Sequence, residues 1–235
     1  MIGEHEVLLR QGLERLSVPA DQVRRDALVT YIQEIELWNP AYGLVKADIR
    51  GLVVDHVLDS LAVLPVLAAE GVLRADEHGY RCGDGAGEVC FADVGSGAGL
   101  PGLPLSLFLP SCRGDLIESS GKRCAFLRNA AALLKVGGRV SVLEKRVEEA
   151  DLSRGPYYLT LFRAFKPLSK ALGPVFKITK PGGWIAAYGG TRLKVEEELS
   201  VFFKDRPARE PETVKIISLS VPFSSKERCL CLIHI

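Results

Sequence analysis

The sequence has little of what metal centres and membrane spans are built from. It holds only four histidines, and its six cysteines include no Cys-x-x-Cys pair, so no zinc finger or ribbon is predicted. No run approaches the about 20 consecutive apolar residues that cross a bilayer, and the start of the chain lacks a secretory signal pattern. The net charge is only +1, so any nucleic-acid binding depends on a local basic patch. We therefore expect a cytoplasmic protein with reduced, buried cysteines, no metal and no membrane partner.

The chain has 235 residues, 47% of them hydrophobic, which is enough for one large domain with an extension. Helical spacing predicts an N-terminal helical cap over residues 1–70, in which Asp21 caps the second helix. The core positions predicted in that helix are Val23, Ala27, Leu28, Tyr31, Ile32 and Ile35. Residues 71–88 are polar and glycine-rich and predict a surface loop. Residues 89–235 predict the main domain, which forms one compact unit with the cap.

From Val89 onward, short apolar runs alternate with helical segments. The predicted parallel strands end at Val94, Glu118, Leu143, Phe162 and Tyr188. This alternation predicts an α/β protein, with a parallel sheet covered by helices on both faces. The last two extended runs, 213–221 and 227–235, have no helix between them. They predict a hairpin that places one antiparallel strand in the sheet.

The stretch from Asp93 to Gly102 organises the main domain, because it leaves a buried strand, turns on alternate glycines and opens a helix. Glycine lets the backbone turn sharply and lets a ligand lie against it. The spacing is G-x-G-x-G, whereas a dinucleotide site more usually shows G-x-G-x-x-G. The Asp93 carboxylate opposes a pyrophosphate and suits a cationic ligand, such as the amino-acid part of S-adenosylmethionine. The candidate cofactor residues here are Asp93, Gly95, Gly97, Gly99 and Leu100. An ordinary tight turn is the alternative for this stretch alone.

Glu118 ends the next predicted strand, nineteen positions after Gly99. In doubly wound folds an acidic residue about 20 positions on accepts hydrogen bonds from ribose hydroxyls, so Glu118 is the predicted ribose acceptor. Val147 and Glu148 follow the third strand, where backbone groups and a side chain can meet adenine. A solvated helix start explains Glu148 equally well, since carboxylates are favoured there.

Cationic residues supply the candidates for substrate contact. Arg163 follows the fourth strand at the predicted switch point of the sheet, a position that favours function. The basic patch predicted for RNA on one helix consists of Lys122, Arg123 and Arg128. An ordinary solvated helix surface is the alternative for that patch. His56 and Asp59 lie three positions apart on one helix face, as either an orienting or a catalytic pair.

The sequence resembles the class I S-adenosylmethionine-dependent methyltransferases, whose Rossmann-like parallel sheet ends in an antiparallel hairpin. From about Tyr31 to the C-terminus it is more closely similar to the RsmG (GidB) family. The motifs that carry this resemblance are Trp38-Asn39, 56–61, 93–102, Gly121-Lys122-Arg123, Phe126-Leu127, 146–149, Arg163-Ala164-Phe165, 180–183 and Glu227-Arg228. The resemblance implies methyl transfer from S-adenosylmethionine to N7 of a guanine in the 16S RNA of the small ribosomal subunit. It implies catalytic roles for Arg146, Arg163 and Arg228, and cofactor contacts from Val147, Glu148 and Arg163.

The sequence departs from the family pattern at three places. Residues 40–45 replace the usual Lys-x-x-Asn-Leu-Thr, Tyr158 stands where Asp is usual, and Gly189-Gly190 replaces Lys-Gly. The lost lysine puts one contact to RNA or cofactor in question. N7 of neutral guanine carries a lone pair, so the implied reaction needs alignment of N7 and methyl rather than a general base. We expect a monomer.

Three other function classes stay open from the sequence. The first is a methyltransferase that acts on another RNA site, a protein or a small molecule. The second is a nucleotide-dependent oxidoreductase, which the glycine spacing, Asp93 and the terminal hairpin oppose. The third is a non-catalytic RNA-binding module that keeps the fold.

Overall fold

The computed structural model of the chain describes residues 2–82, 89–150, 155–204 and 210–235. Three N-terminal helices are α1 (Ile2–Arg15), α2 (Gln22–Tyr42) and α3 (Ile49–Ala69). Asp21 caps α2 as predicted, because its side chain accepts a hydrogen bond from the Arg24 N–H at 2.8 Å. The predicted core position Val23 is wrong, since this side chain in the first turn of α2 is 77% exposed. The predicted positions that are fully buried are Leu28, Tyr31, Ile32 and Ile35.

The helix α3 corrects the expectation that no segment is long and apolar enough to cross a membrane. It meets that requirement by length and composition, with a mean hydropathy of 1.8. However, 67% of its apolar window is buried inside the protein, which is the position of a core helix. Its polar residues Asp55, His56 and Asp59 face a cavity beside the sheet, whereas apolar residues such as Val57 and Leu58 are fully buried.

The prediction that residues 71–88 form a polar loop is wrong for the part of this segment that the structure describes. Strands β1 (Leu73–Asp76) and β2 (Gly79–Cys82) form an antiparallel hairpin. Three apolar side chains of this hairpin, Leu73, Tyr80 and Cys82, are buried, which explains why the segment is ordered despite its polar composition. The remainder of that predicted loop, residues 83–88, lies outside the described residues.

The main domain is built on a seven-stranded sheet. Its elements are β3 (Val89–Val94), α4 (Gly102–Phe108), β4 (Arg113–Glu118), α5 (Gly121–Leu133), β5 (Val140–Glu144), β6 (Tyr157–Arg163), α6 (Leu168–Ile178), β7 (Thr179–Gly189), α7 (Arg192–Lys204), β8 (Thr213–Ser218) and β9 (Cys229–His234). The strand order is β5-β4-β3-β6-β7-β9-β8. Within this sheet β9 runs opposite to the other six strands, because it pairs antiparallel with both β7 and β8. The predicted α/β fold with one antiparallel strand from a terminal hairpin is confirmed.

The strand order fixes where a ligand binds. From β3 the chain first builds the sheet toward β4 and β5, then crosses back to place β6 on the other side of β3. The crevice at such a switch point, beyond the carboxyl ends of the strands, is the usual ligand site of open α/β sheets. The cap packs into the same hydrophobic core, since Tyr31 and Leu58 belong to one cluster with Phe91 and Leu159. The cap and the main domain therefore share one hydrophobic cluster.

Candidate cofactor and substrate site

Two cavities lie side by side beyond the carboxyl ends of the strands. The larger, of about 810 Å³, is lined by the glycine turn, by the polar face of α3 and by the ends of β6 and β7. The smaller, of about 260 Å³, is lined by the residues that follow β4 and β5. Both are lined by Gly95, Arg123 and Phe165, so they are adjoining parts of one crevice.

The glycine turn has backbone angles that other residues adopt at a cost. Gly95, Gly97 and Gly99 have φ values of 68°, 58° and 87°, in the left-handed region. The Gly97 N–H donates to Glu118 Oε2 at 2.9 Å, and the Ser120 N–H donates to Glu118 Oε1 at 2.8 Å. The predicted ribose acceptor is therefore held in place by backbone donors, and it lies against the smaller cavity.

The turn is also supported from behind. Tyr31, fully buried in α2, donates its hydroxyl to the Ala98 carbonyl at 2.6 Å. The Asp93 side chain accepts a hydrogen bond from the Gly102 N–H at 2.9 Å. Asp93 is fully buried and lines neither cavity. We therefore assign this residue to support of the glycine turn, and not to the direct cofactor contact that the sequence predicted. Its Oδ1 atom has no hydrogen-bond partner among the described residues.

Burial raises the pKa of Asp93 to about 7, because the charged form loses its hydration. The folded protein then holds this proton more tightly than the unfolded chain does. The protonated Asp93 side chain therefore adds to the free energy of unfolding. This contribution is complete below the pKa that Asp93 has in the unfolded chain, and it is lost as the pH rises through about 7.

Arg163 is locked against the polar face of α3. Its Nη1 donates to Asp59 Oδ2 at 2.8 Å and to the Asp55 carbonyl at 3.2 Å, and its Nη2 lies 3.0 Å from His56 Nδ1. Burial and the Arg163 charge lower the pKa of His56 to about 4, so this imidazole is neutral at pH 7. Its Nδ1 atom then accepts the hydrogen bond from Arg163 Nη2. The orienting interpretation of His56 and Asp59 therefore agrees with the geometry. Arginine has five N–H donors, which leaves two of them for the cavity.

The other two predicted catalytic arginines lie in different places. Arg228 joins Arg163, because its Nε is 3.2 Å from Asp59 Oδ1, although this ion pair lacks hydrogen-bond geometry. It lines the larger cavity with Arg163. Arg146 instead lines the smaller cavity, beside the predicted adenine contacts Val147 and Glu148.

Phe165 lines both cavities. Its ring packs on the glycine turn so closely that a Cβ atom at Gly95 would lie 2.1 Å from Phe165 Cδ2. The next residue, Lys166, donates to Glu148 Oε1 at 2.6 Å. This hydrogen bond lowers the pKa of Glu148. Sequence reasoning did not assign either residue to the site, although both directly follow the Arg163 strand end.

The three cations predicted to form one patch on α5 do not share a face. At about 100° per residue, Lys122, Arg123 and Arg128 are separated from one another by roughly 100° to 140° around the helix axis. Arg123 turns to the crevice and lies 3.9 Å from Glu118, whereas Arg128 pairs with Glu144 at 3.0 Å. The prediction treated neighbours in sequence as neighbours in space, which the helical twist prevents.

Basic residues from five separate segments of the chain instead surround the larger cavity. The cations that line it, besides Arg163, are Lys46, Arg123, Lys166, Lys194 and Arg228, and we call them the basic rim. The Asn39 side chain holds the Lys46 segment in place, since it donates to the Val45 carbonyl at 2.8 Å and accepts from the Val45 N–H at 3.0 Å. Lys194 lines the same cavity as Gly189, the position at which the family pattern has a lysine. Sequence reasoning missed Lys46 and Lys194, because neither belongs to a motif.

Comparison with known proteins identifies relatives over nearly the whole chain. A family profile described as "rRNA small subunit methyltransferase G" (GidB) matches residues 24–225. The protein named "Ribosomal RNA small subunit methyltransferase G" from Burkholderia thailandensis is 33% identical over 233 residues, covering 96% of this chain and 89% of the relative. The same-named protein from Burkholderia pseudomallei K96243 is also 33% identical, with 96% and 90% coverage.

Solved structures of methyltransferases share the fold. The O-methyltransferase from Bacillus cereus, in complex with SAH, has a TM-score of 0.59 at 14% identity and covers 100% of both chains. The magnesium protoporphyrin IX methyltransferase from Synechocystis, with bound SAM, has a TM-score of 0.55 at 12% identity, covering 92% of this chain and 98% of that one. At this identity the likeness concerns the fold alone.

Proposed function

The chain belongs to the rRNA small subunit methyltransferase G family, and we propose that it methylates N7 of a guanine in the 16S RNA of the small ribosomal subunit. Membership makes it a methyltransferase that uses S-adenosylmethionine and acts on small-subunit ribosomal RNA. The observation that carries the finer proposal is the division of the crevice. One part has an anchored carboxylate suited to a nucleoside, and the other has two arginines suited to a base.

The residues present fit S-adenosylmethionine. A Cβ atom placed on Gly97 would meet only the Gly95 carbonyl oxygen, at 3.9 Å, so this side of the turn is open to a ligand. We assign Gly95, Gly97, Gly99 and Leu100 as the backbone wall. Glu118 is the proposed ribose acceptor, and Val147, Glu148 and Arg146 border the proposed adenine site in the smaller cavity. When bound, the cofactor supplies an electrophilic methyl group on a sulfonium.

In this proposal, the protein positions the base rather than deprotonating it. The lone pair of guanine N7 is available in the neutral base, so rate comes from alignment. Two N–H groups of Arg163, with Arg228 beside it, can donate to O6 on the same edge of the guanine. His56 already accepts from Arg163 and has a pKa of about 4, so it orients the arginine and does not serve as a base.

Single-turnover rates at saturating cofactor and RNA are expected to be nearly flat from about pH 6.5 to 8.5. N7 requires no deprotonation, and His56 stays neutral across this interval. Asp93→Asn keeps an acceptor for the Gly102 N–H and removes the ionisation near pH 7, so it separates the support of the turn from the chemistry. A steep rise in rate with pH that persists in Asp93→Asn would indicate a base-dependent target, such as an exocyclic amine.

We propose that the basic rim binds RNA around the base to be methylated, with Arg123 as the member of the predicted α5 patch that belongs to it. Lys46→Ala combined with Lys194→Ala should weaken RNA binding and reduce its salt slope by about 1.4, or about 0.7 per lost phosphate contact. Lys122→Ala combined with Arg128→Ala removes the same charge outside the rim. Titrations at several salt concentrations compare the two variants. An equal or larger decrease of the salt slope in the α5 variant would indicate that the RNA interface lies on that helix instead.

The experiment that tests the activity uses labelled S-adenosylmethionine and ribosomal RNA from cells that lack this protein. We expect one methyl group on N7 of one guanine in the 16S RNA, mapped by mass spectrometry of digested RNA. Offering deproteinised RNA and intact small subunits in parallel identifies the substrate form. A methyl group on another atom would overturn the N7 assignment. A cytoplasmic location is kept as part of this proposal, supported by the ribosomal substrate, and the monomeric state stays a prediction.

A further inference from the structure

Three cysteines from separate segments meet at the opposite end of the sheet from the crevice. Cys82 ends β2, Cys90 is the second residue of β3, and Cys112 comes just before β4. Their sulfur atoms all lie within 4.8 Å of one another. All three side chains are buried, with exposures of 4%, 6% and 1%. The spacings of eight and twenty-two residues match no metal-binding motif, which is why the sequence predicted only separate buried thiols.

The separation of the sulfur atoms suits a single metal ion. With metal–sulfur bonds of about 2.3 Å, three thiolates around one ion lie about 3.8 to 4.0 Å apart, so small side-chain shifts close the site. Backbone N–H groups already point at two of the sulfur atoms. The Cys82 N–H donates to Cys112 Sγ at 3.1 Å, and the Arg113 N–H donates to Cys90 Sγ. Such donors are the usual outer-shell support of metal thiolates.

A cation near the cluster would offset part of the charge that three thiolates carry. The guanidinium of Arg139 is partly buried and donates to the Leu109 carbonyl at 3.2 Å and to the Cys112 carbonyl at 3.5 Å. The protein's other three cysteines lack this arrangement. Cys124, Cys229 and Cys231 are buried, but none of them belongs to a group of three ligand side chains among the described residues. They therefore provide matched controls.

We propose that Cys82, Cys90 and Cys112 together bind one thiophilic d10 cation, Zn²⁺ or Cu⁺, as thiolates. Each thiol releases its proton to solvent as its metal–sulfur bond forms, so binding releases up to three protons. The described residues add no fourth ligand side chain, and a three-sulfur site is complete for Cu⁺ and leaves an open position on Zn²⁺. The site ties the β1–β2 hairpin to the sheet. Cys90 is four residues from the end of β3, about 13 Å from the glycine turn, so the metal stabilises the fold and takes no part in methyl transfer.

The test is a titration of the full, reduced chain with Co²⁺, then with Zn²⁺ and separately with Cu⁺. We expect one Co²⁺ per chain with thiolate-to-cobalt charge-transfer absorption, displaced by Zn²⁺ or by Cu⁺. Cys82→Ser, Cys90→Ser and Cys112→Ser should each lower the affinity at least about tenfold, whereas Cys124→Ser should leave it unchanged. The relative affinities for Zn²⁺ and Cu⁺ decide which cation the site takes.

A second measurement needs no variant, in case a serine variant fails to fold. Wild-type protein is alkylated with and without Zn²⁺ or Cu⁺, and mass spectrometry identifies the protected cysteines. Protection confined to Cys82, Cys90 and Cys112 supports the proposal. Binding of neither Zn²⁺ nor Cu⁺ to the reduced chain, or equal protection of all six cysteines, would overturn it.

Discussion

Replacing Arg163 by lysine is expected to lower the single-turnover rate of methyl transfer on the order of 100-fold at saturating cofactor and RNA. The charge is kept, but the planar fork is lost. Arg163 uses that fork to bond Asp59, the Asp55 carbonyl and His56 at the same time. A lysine ammonium cannot hold these partners and also present two parallel donors to the base. Because a misplacement of about 1 Å costs rate even when the ligands are bound, the loss should appear in the chemical step.

Two measurements on this variant separate the role from folding, and two further variants test its specificity. If Arg163 orients the base rather than making the cofactor contact that the family resemblance also implies, cofactor affinity by calorimetry should stay near wild type in Arg163→Lys, and so should the circular dichroism spectrum. Arg146→Lys is the matched variant in the smaller cavity, and we expect it to weaken cofactor binding more than it lowers the rate. Arg228→Lys should resemble Arg163→Lys, since both arginines contact Asp59. An unchanged single-turnover rate in Arg163→Lys would show that the assignment of Arg163 to the active site is wrong.

Local pattern was sufficient to predict the fold, and it supplies the residues of the proposed cofactor site. The alternation after Val89 gave the parallel sheet, and the glycine turn with Glu118 gave a nucleoside pocket. These signals are local, because a strand, a turn and the next strand lie within about 30 residues in such folds. The hydrogen bond from the Gly97 N–H to Glu118 joins the two parts of that pattern directly.

The substrate side of the site could not be read in the same way. Arg163 and Asp59 are 104 residues apart, and only the packing of α3 against the end of β6 brings them together. The cysteine cluster likewise depends on the β1–β2 hairpin, which the polar composition of residues 71–88 did not predict. The three α5 cations do not share one face for the opposite reason, since residues close in sequence point in different directions around a helix.

The glycine turn is held from several directions, which makes one of its positions a sharp probe of the cofactor site. Glu118 binds the Gly97 N–H, Tyr31 binds the Ala98 carbonyl, and Asp93 binds the Gly102 N–H. Gly95 and Gly99 are unsuitable for mutation, because a Cβ atom there would lie 2.1 Å from the Phe165 ring or 2.5 Å from Leu103. Gly97 has open space at that position, so a side chain there enters the crevice without disturbing the core.

Gly97→Val is expected to lower S-adenosylmethionine affinity on the order of 100-fold, about 3 kcal/mol, because the branched side chain occupies the ligand's place against the backbone. Calorimetry on the folded variant measures this loss.

The matched control is Gly71→Val, after α3. Gly71 has φ of 74°, close to the 58° of Gly97, and a Cβ atom there has nothing within 4 Å. Both variants carry the left-handed backbone cost of about 1 to 2 kcal/mol, so both should unfold at a lower temperature by a similar amount. Only Gly97→Val should lose the cofactor, because Gly71 does not line the crevice. Equal cofactor affinity in the two variants would mean that the ligand does not lie against Gly97, and the assignment of the turn as its binding wall would be wrong.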